Sequence, residues 1–102
     1  MNAHSSEADI VGYTVRQAER LEQIDSIEEL DILEVNYTVN EGSGVTGVEL
    51  VLTVGGPDIR VEALRGIVRG AWGGDYHRVH CDSDVVEAYA EMLANDFEAR
   101  KL

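Results

Sequence analysis

VTGVELVLTVGGPDIRVEALRGIVRGAWGGDYHRVHC, residues Val45–Cys81, decides the fold. Apolar and polar residues alternate through it in short runs, and glycine-bearing turns separate the runs. That pattern predicts half-buried strands joined as antiparallel hairpins. The first strand of the stretch is Thr46–Val54, with Val48, Leu50, Leu52 and Val54 on one face and Glu49, Val51 and Thr53 on the other. Gly55-Gly56-Pro57-Asp58 turns the chain, because Pro57 pre-sets its own φ and lacks a donor. Ile59–Ala63 is the next strand, a tight turn at Arg65-Gly66 leads to Ile67–Trp72, and Gly73-Gly74-Asp75 leads to Tyr76–Cys81.

Upstream, the same period begins at Ile32. Leu33, Val35, Tyr37 and Val39 alternate with Glu34, Asn36, Thr38 and Asn40, which predicts a fifth strand ending in the flexible turn Asn40–Gly44. Before it, two helix readings compete. Thr14-Val15-Arg16-Gln17 fits a capping box and starts a helix at Val15. Alternatively the helix begins near Ser6, because Ile10, Val11, Val15, Ala18 and Leu21 keep one stripe and Gly12 costs only about 1 kcal/mol relative to Ala. Ser26…Glu29 is a second box, for one helical turn or a linker, and residues 1–6 read as frayed, with His4 solvated. Downstream, Asp84 and Glu87 open a last helix, with Asp82 and Ser83 as competing caps. Its buried stripe is Val86, Tyr89, Ala90, Leu93 and Phe97, while Glu87, Glu91 and Glu98 point away. Arg100 and Lys101 sit where the helix dipole favours cations. The whole, residues 1–102, is expected as a single α+β domain of two layers. A five-stranded antiparallel meander carries the N-terminal and C-terminal helices on one face.

Composition bounds the setting. The 102 residues hold 20 Asp and Glu against 8 Lys and Arg, a net charge of −12, and Lys101 is the only lysine. Such like charge destabilises a compact state in dilute buffer. At molar salt, with a Debye length of about 3 Å, the repulsion is screened. Carboxylate excess with lysine loss resembles the cytosolic proteins of salt-in halophilic archaea. The same charge argues against nucleic-acid binding, which needs a broad basic surface. No apolar run long enough to span a membrane occurs, and MNAHSSEADI lacks the features of a signal peptide, so the expected location is cytoplasmic. The single cysteine, Cys81, excludes an internal disulfide and fits a reducing compartment.

Chemistry-bearing residues are few. His77, His80, Cys81 and Asp82 form the one ligand-like cluster. On a strand, His77 and Cys81 share a face but lie about 13 Å apart, and His77 and His80 point opposite ways. Only His80 and Asp82 can converge, so no metal is expected. Cys81 lacks a histidine on its own face to activate it and reads as a small buried residue. Trp72 reads as a plug at the end of the core, with an aromatic platform alongside Tyr76 as the alternative. No catalytic residues and no cofactor are expected.

The open face offers more. With Ile59, Val61, Val68, Trp72 and Val79 inward, period two sends Arg60, Arg69 and Arg78 outward on three neighbouring strands. Such a stripe, with His80 beside it, suits a carboxylate-rich partner, a phosphate or a second copy of the chain. The competing reading is structural. With Arg65-Gly66 as a two-residue loop, Glu62 faces Arg69 and the arginines pair with acids. A three-residue loop at Gly73–Asp75 moves Arg78 to the inner face.

The pattern G-G-P-D-I-x-V…G-x-V-x-G-x-W-G, at Gly55–Val61 and Gly66–Gly73, resembles that of small uncharacterised prokaryotic proteins. The resemblance spans about a third of the chain and implies no activity. The function expected is a non-enzymatic interaction module, pairing with itself as a homodimer or with another protein. The alternative is an anion- or carboxylate-binding protein, or a weak enzyme, using Arg60, Arg69, Arg78 and His80.

Overall fold

A computed structural model describes residues 5–100. Its elements run α1 (Ser5–Gln23), a 3-10 turn (Ile27–Glu29), β1 (Glu34–Asn40), β2 (Gly44–Thr53), β3 (Asp58–Glu62), β4 (Ile67–Trp72), β5 (Asp75–His80) and α2 (Asp84–Arg100). The strands form one antiparallel sheet in chain order, β1-β2-β3-β4-β5. α1 crosses β4 and β5, and α2 crosses β2. Ala18 and Leu21 of α1, Val86 and Ala90 of α2, and Val48, Leu50, Ile59, Val61 and Val68 of the sheet belong to one buried cluster. This is the expected α+β meander, with its core between helices and sheet.

α1 is one helix, and the longer of the two sequence readings describes it. Thr14 is no cap. Its buried hydroxyl donates to the Ile10 carbonyl one turn back, 2.6 Å away, so it satisfies itself inside the helix. Ile10, Thr14, Ala18 and Leu21 form its buried stripe, while Val11 is exposed. Ser5 and Ser6, read as frayed, lie in the helix; Met1–His4 and the dipole role of Lys101 lie outside the described residues. The helix seats on Gly70 of β4. A Cβ there would lie 2.1 Å from Thr14 Oγ1, 3.1 Å from Ile59 Cδ1 and 3.2 Å from Ile10 Cδ1, so only glycine admits α1 this close.

The Ser26…Glu29 box is complete and caps the 3-10 turn. At α2 the cap is Ser83, whose Oγ accepts from Val86 N at 3.2 Å. Phe97 packs against Tyr37 of β1 with ring centroids 4.5 Å apart. Glu98 does not point away as expected. It bends to the β1–β2 hairpin, where Val45 N donates to its Oε2 at 2.6 Å. The strand ends differ too. Ile32 packs against the core while Leu33 is 59 % exposed, and Val54 is exposed beyond the end of β2.

One turn corrects the expected register, and a second decides a register left open by the sequence. Glu62 pairs with Ile67, so Ala63–Gly66 is a four-residue loop, with both Arg65 N and Gly66 N donating to the Glu62 carbonyl. Gly66 has φ +68, the left-handed conformation that glycine adopts without cost. Trp72 pairs with Asp75, so Gly73-Gly74 is a two-residue loop and Arg78 stays on the outer face.

Candidate functional site

The antiparallel register builds the open face from parallel rows of side chains, because directly opposed residues share a face. One row crosses all five strands as Glu34–Val51–Arg60–Arg69–Arg78. The next runs Asn36–Glu49–Glu62–Ile67–His80. A third, shorter row is Asp58–Ala71–Tyr76. The four residues expected on this face, Arg60, Arg69, Arg78 and His80, are all brought to it, the three arginines side by side.

Their environments differ. Glu49 and Glu62 oppose each other on β2 and β3, a like-charge pair that is unfavourable alone. Arginines from the neighbouring row neutralise it. Arg60 Nη1 lies 3.3 Å from Glu49 Oε1, and Arg69 Nη2 donates to Glu49 Oε2. Arg69 Nε is 3.0 Å from Glu62 Oε2, an ion pair whose angle falls short of a hydrogen bond. Asp58 holds Arg60 through Nε at 2.8 Å and Nη2 at 3.3 Å, and this fork is the main reason its guanidinium is held charged more firmly than usual. Asn36 Nδ2 donates to Glu49 Oε1 at 3.0 Å. Exposed ion pairs of this kind contribute about 0–1 kcal/mol each. Their joint effect here is to fix two guanidinium groups in place.

Arg78 has no carboxylate within ion-pair distance among the described residues and is exposed. Tyr76, two residues before it on the same face of β5, is 57 % exposed. His80 completes the edge. The stripe is therefore uneven: Arg60 and Arg69 are tied to acids, and the free cation stands at the β5 edge. The acids that do the tying, Glu49 and Asp58, went unassigned in the sequence because their partnership depends on the register of β2 against β3. Period two alone places Glu49 on the face opposite the core.

Two shallow depressions flank the Arg69–Glu49 pair. One, of about 440 Å³, is bounded by Asn36, Thr46, Glu49, Glu62, Arg65 and Arg69. The other, of about 430 Å³, lies between Asp58, Arg60, Arg69, Ala71 and Tyr76. Both carry carboxylates as well as guanidinium groups.

Trp72 is no core plug. It is 41 % exposed, with its indole over Gly56 of the β2–β3 turn. Its row partner is Asp75, so it lies on the face opposite Tyr76 and the two rings make no common platform. His77 likewise faces the helix side, opposite Gly70, away from His80. Cys81 is buried, its thiol 3.5 Å from the Ala18 carbonyl. Burial, then Glu22 and Asp82, pushes that thiol up to about 11, which leaves it a poor nucleophile at neutral pH. Among the described residues, no three His, Cys, Asp or Glu side chains converge as a metal-binding set, and no helix is long and apolar enough to cross a membrane.

Comparison of the chain with protein-family models, with curated proteins and with solved structures returned no match.

Proposed function

We propose that this chain is a non-enzymatic protein-interaction module, self-associating as a dimer subunit, in the salt-rich cytosol of a halophilic archaeon. The observation that carries the interaction reading is the uncovered sheet face, where Tyr76 and Arg78 stand exposed beside a pre-ordered Arg60–Arg69 lattice. Tyrosine and arginine dominate the energetics of protein interfaces, and side chains already held in place lose less entropy on docking. The partner is expected to present carboxylates to Arg78. The net charge of −12 with a single lysine supports the high-salt setting.

The test is affinity capture in molar KCl with wild type beside a folded R60A/R69A/R78A variant. A partner held by wild type and lost by the variant supports the reading. A partner held equally by both moves the contact off this face.

A second reading, a small anion- or carboxylate-binding protein or weak enzyme, draws on the depressions beside Arg69. It is the weaker one, since Glu49, Glu62 and Asp58 already occupy those guanidinium groups and would repel an anion. Thermal shifts with phosphate or dicarboxylates that vanish in Arg69→Ala would reverse the order of the two readings.

A further inference from the structure

We infer that a second copy of this chain docks along β1, edge to edge, about a two-fold axis through Tyr37. This deepens the dimer part of the proposed function and rests on it, while leaving the open face free for a different protein.

β1 is one of the two edges of the sheet. Outward backbone groups of an edge strand template a further strand unless lysine, proline, a bulge or several charges blunt them. β1, Glu34–Asn40 (EVNYTVN), has neither lysine nor proline and a single charge, Glu34. The nearby bulge inserts its extra residue, Thr46, into β2, because Thr38 pairs with Gly47 and Val39 with Val45. β1 itself therefore stays regular.

The strand reads nearly the same from either end. About Tyr37, Asn36 mirrors Thr38, Val35 mirrors Val39, and Glu34 mirrors Asn40. Antiparallel pairing centred on Tyr37 sets Val35 against the partner's Val39 and Tyr37 against the partner's Tyr37, on the helix side. On the open side, Asn36 meets the partner's Thr38 and Glu34 meets the partner's Asn40. Apolar residues meet apolar ones, and the one charge meets an amide. Val39, 44 % exposed in the single chain, becomes covered.

That self-complementarity matters in a chain of net charge −12, where most surfaces brought face to face would oppose carboxylates. A slip of two residues toward Thr38 takes Val35 past the end of the partner's β1 and leaves Tyr37 against Val39 as the one kind of apolar pair on the helix side. A slip by one sends the apolar set to the wrong face. β5, the other edge, lacks this property. It carries Asp75, His77, Arg78 and His80 among six residues. Pairing centred on Arg78 opposes two guanidinium groups, and pairing centred on His77 sets Asp75 against Val79.

The test is sedimentation velocity in molar KCl, with a cross-link as its second arm. Wild type is expected to sediment as a dimer, and Val39→Lys to raise the dissociation constant about tenfold or more with an unchanged circular dichroism spectrum. The double variant N36C/T38C places thiols on directly opposed residues of the two chains, with Cα atoms about 4.5–5.5 Å apart. That distance allows a disulfide. Mild oxidation should give a covalent dimer from the double variant and not from either single one, with Cys81 buried away from the reaction. A monomeric wild type overturns the inference, as does a Val39→Lys chain that stays dimeric, or a double variant that stays unlinked. Dimers that persist in R60A/R69A/R78A while its captured partner is lost uphold both sites. A monomer that still captures a partner through the arginines overturns the edge dimer alone.

Discussion

Gly70→Ala tests the seat of α1 on the sheet. An ideal Cβ at this position falls 2.1 Å from Thr14 Oγ1. Ordinary carbon–oxygen contact needs more than a further ångström, and the Ile10 and Ile59 methyl groups on either side, at 3.2 and 3.1 Å, leave no sideways escape. Thr14 cannot swing clear without breaking its 2.6 Å bond to the Ile10 carbonyl inside a buried site. The helix must therefore lift from β4, or the hydroxyl must lose its partner. Overpacking of this kind costs about 1–3 kcal/mol. Replacing a strand glycine by alanine recovers about 0.5–1 kcal/mol. The net expectation is a loss of about 1–2 kcal/mol, or roughly 4–16 °C in Tm for a domain of this size. The assay is urea denaturation followed by circular dichroism at fixed protein concentration in molar KCl. Thr14→Ala removes the obstructing oxygen, so G70A/T14A should be less destabilised than the sum of the single variants. The expected coupling is about 1 kcal/mol, within the range for residues in contact. A Gly70→Ala chain as stable as wild type, or strictly additive variants, would refute the close packing of α1 on β4.

Glu49→Gln leaves Arg60 and Arg69 with one acid each and relieves the repulsion from Glu62, so denaturant midpoints should fall by the equivalent of no more than about 2 kcal/mol, modest because the pairs are partly exposed. Cys81 should resist a thiol reagent at pH 8 in the folded chain and react at once in denaturant, and rapid labelling without denaturant would contradict its burial. With its folded-state thiol raised to about 11, the native chain holds a proton that the unfolded chain releases from about pH 9, so stability should fall as pH rises from 9 to 11, and Cys81→Ala should flatten that slope. Diluting KCl from molar to millimolar should weaken the helical signal, and full retention of the fold in low salt would count against the halophilic setting.

Period two was enough to find all five strands, because apolar residues alternate toward the helices and most polar ones toward the open face. Val48, Leu50, Ile59, Val61 and Val68 point inward by their period in the sequence and are buried. The stripe of α2 was legible too: Val86, Tyr89, Ala90 and Leu93 pack on the core, and Phe97 stacks on Tyr37. Loop length was not. Arg65-Gly66 looks like a two-residue hairpin turn, yet two amides converge on the Glu62 carbonyl and lengthen the loop to four, which moves the residue facing Arg69 from Glu62 to Arg60. Thr14…Gln17 has the composition of a cap, but a threonine hydroxyl can also bond back into its own helix, and local sequence does not choose between the two. Of the surface, the side on which each arginine stands was readable. Which carboxylate holds each one was not, since that depends on the bulge at Leu52 and on the length of the Ala63–Gly66 loop, which no residue type announces.

The seat of α1 also imposes an order in time. The helix leaves the ribosome before the sheet does, yet the surface it covers is β4 and β5, complete only at His80. Until then Ile10, Ala18 and Leu21 have nothing to pack against, whereas each hairpin can close on its immediate neighbour as it emerges. The meander is thus the part that assembles locally, and the nascent N-terminal helix must wait, apolar stripe uncovered, for some sixty residues of chain to follow it.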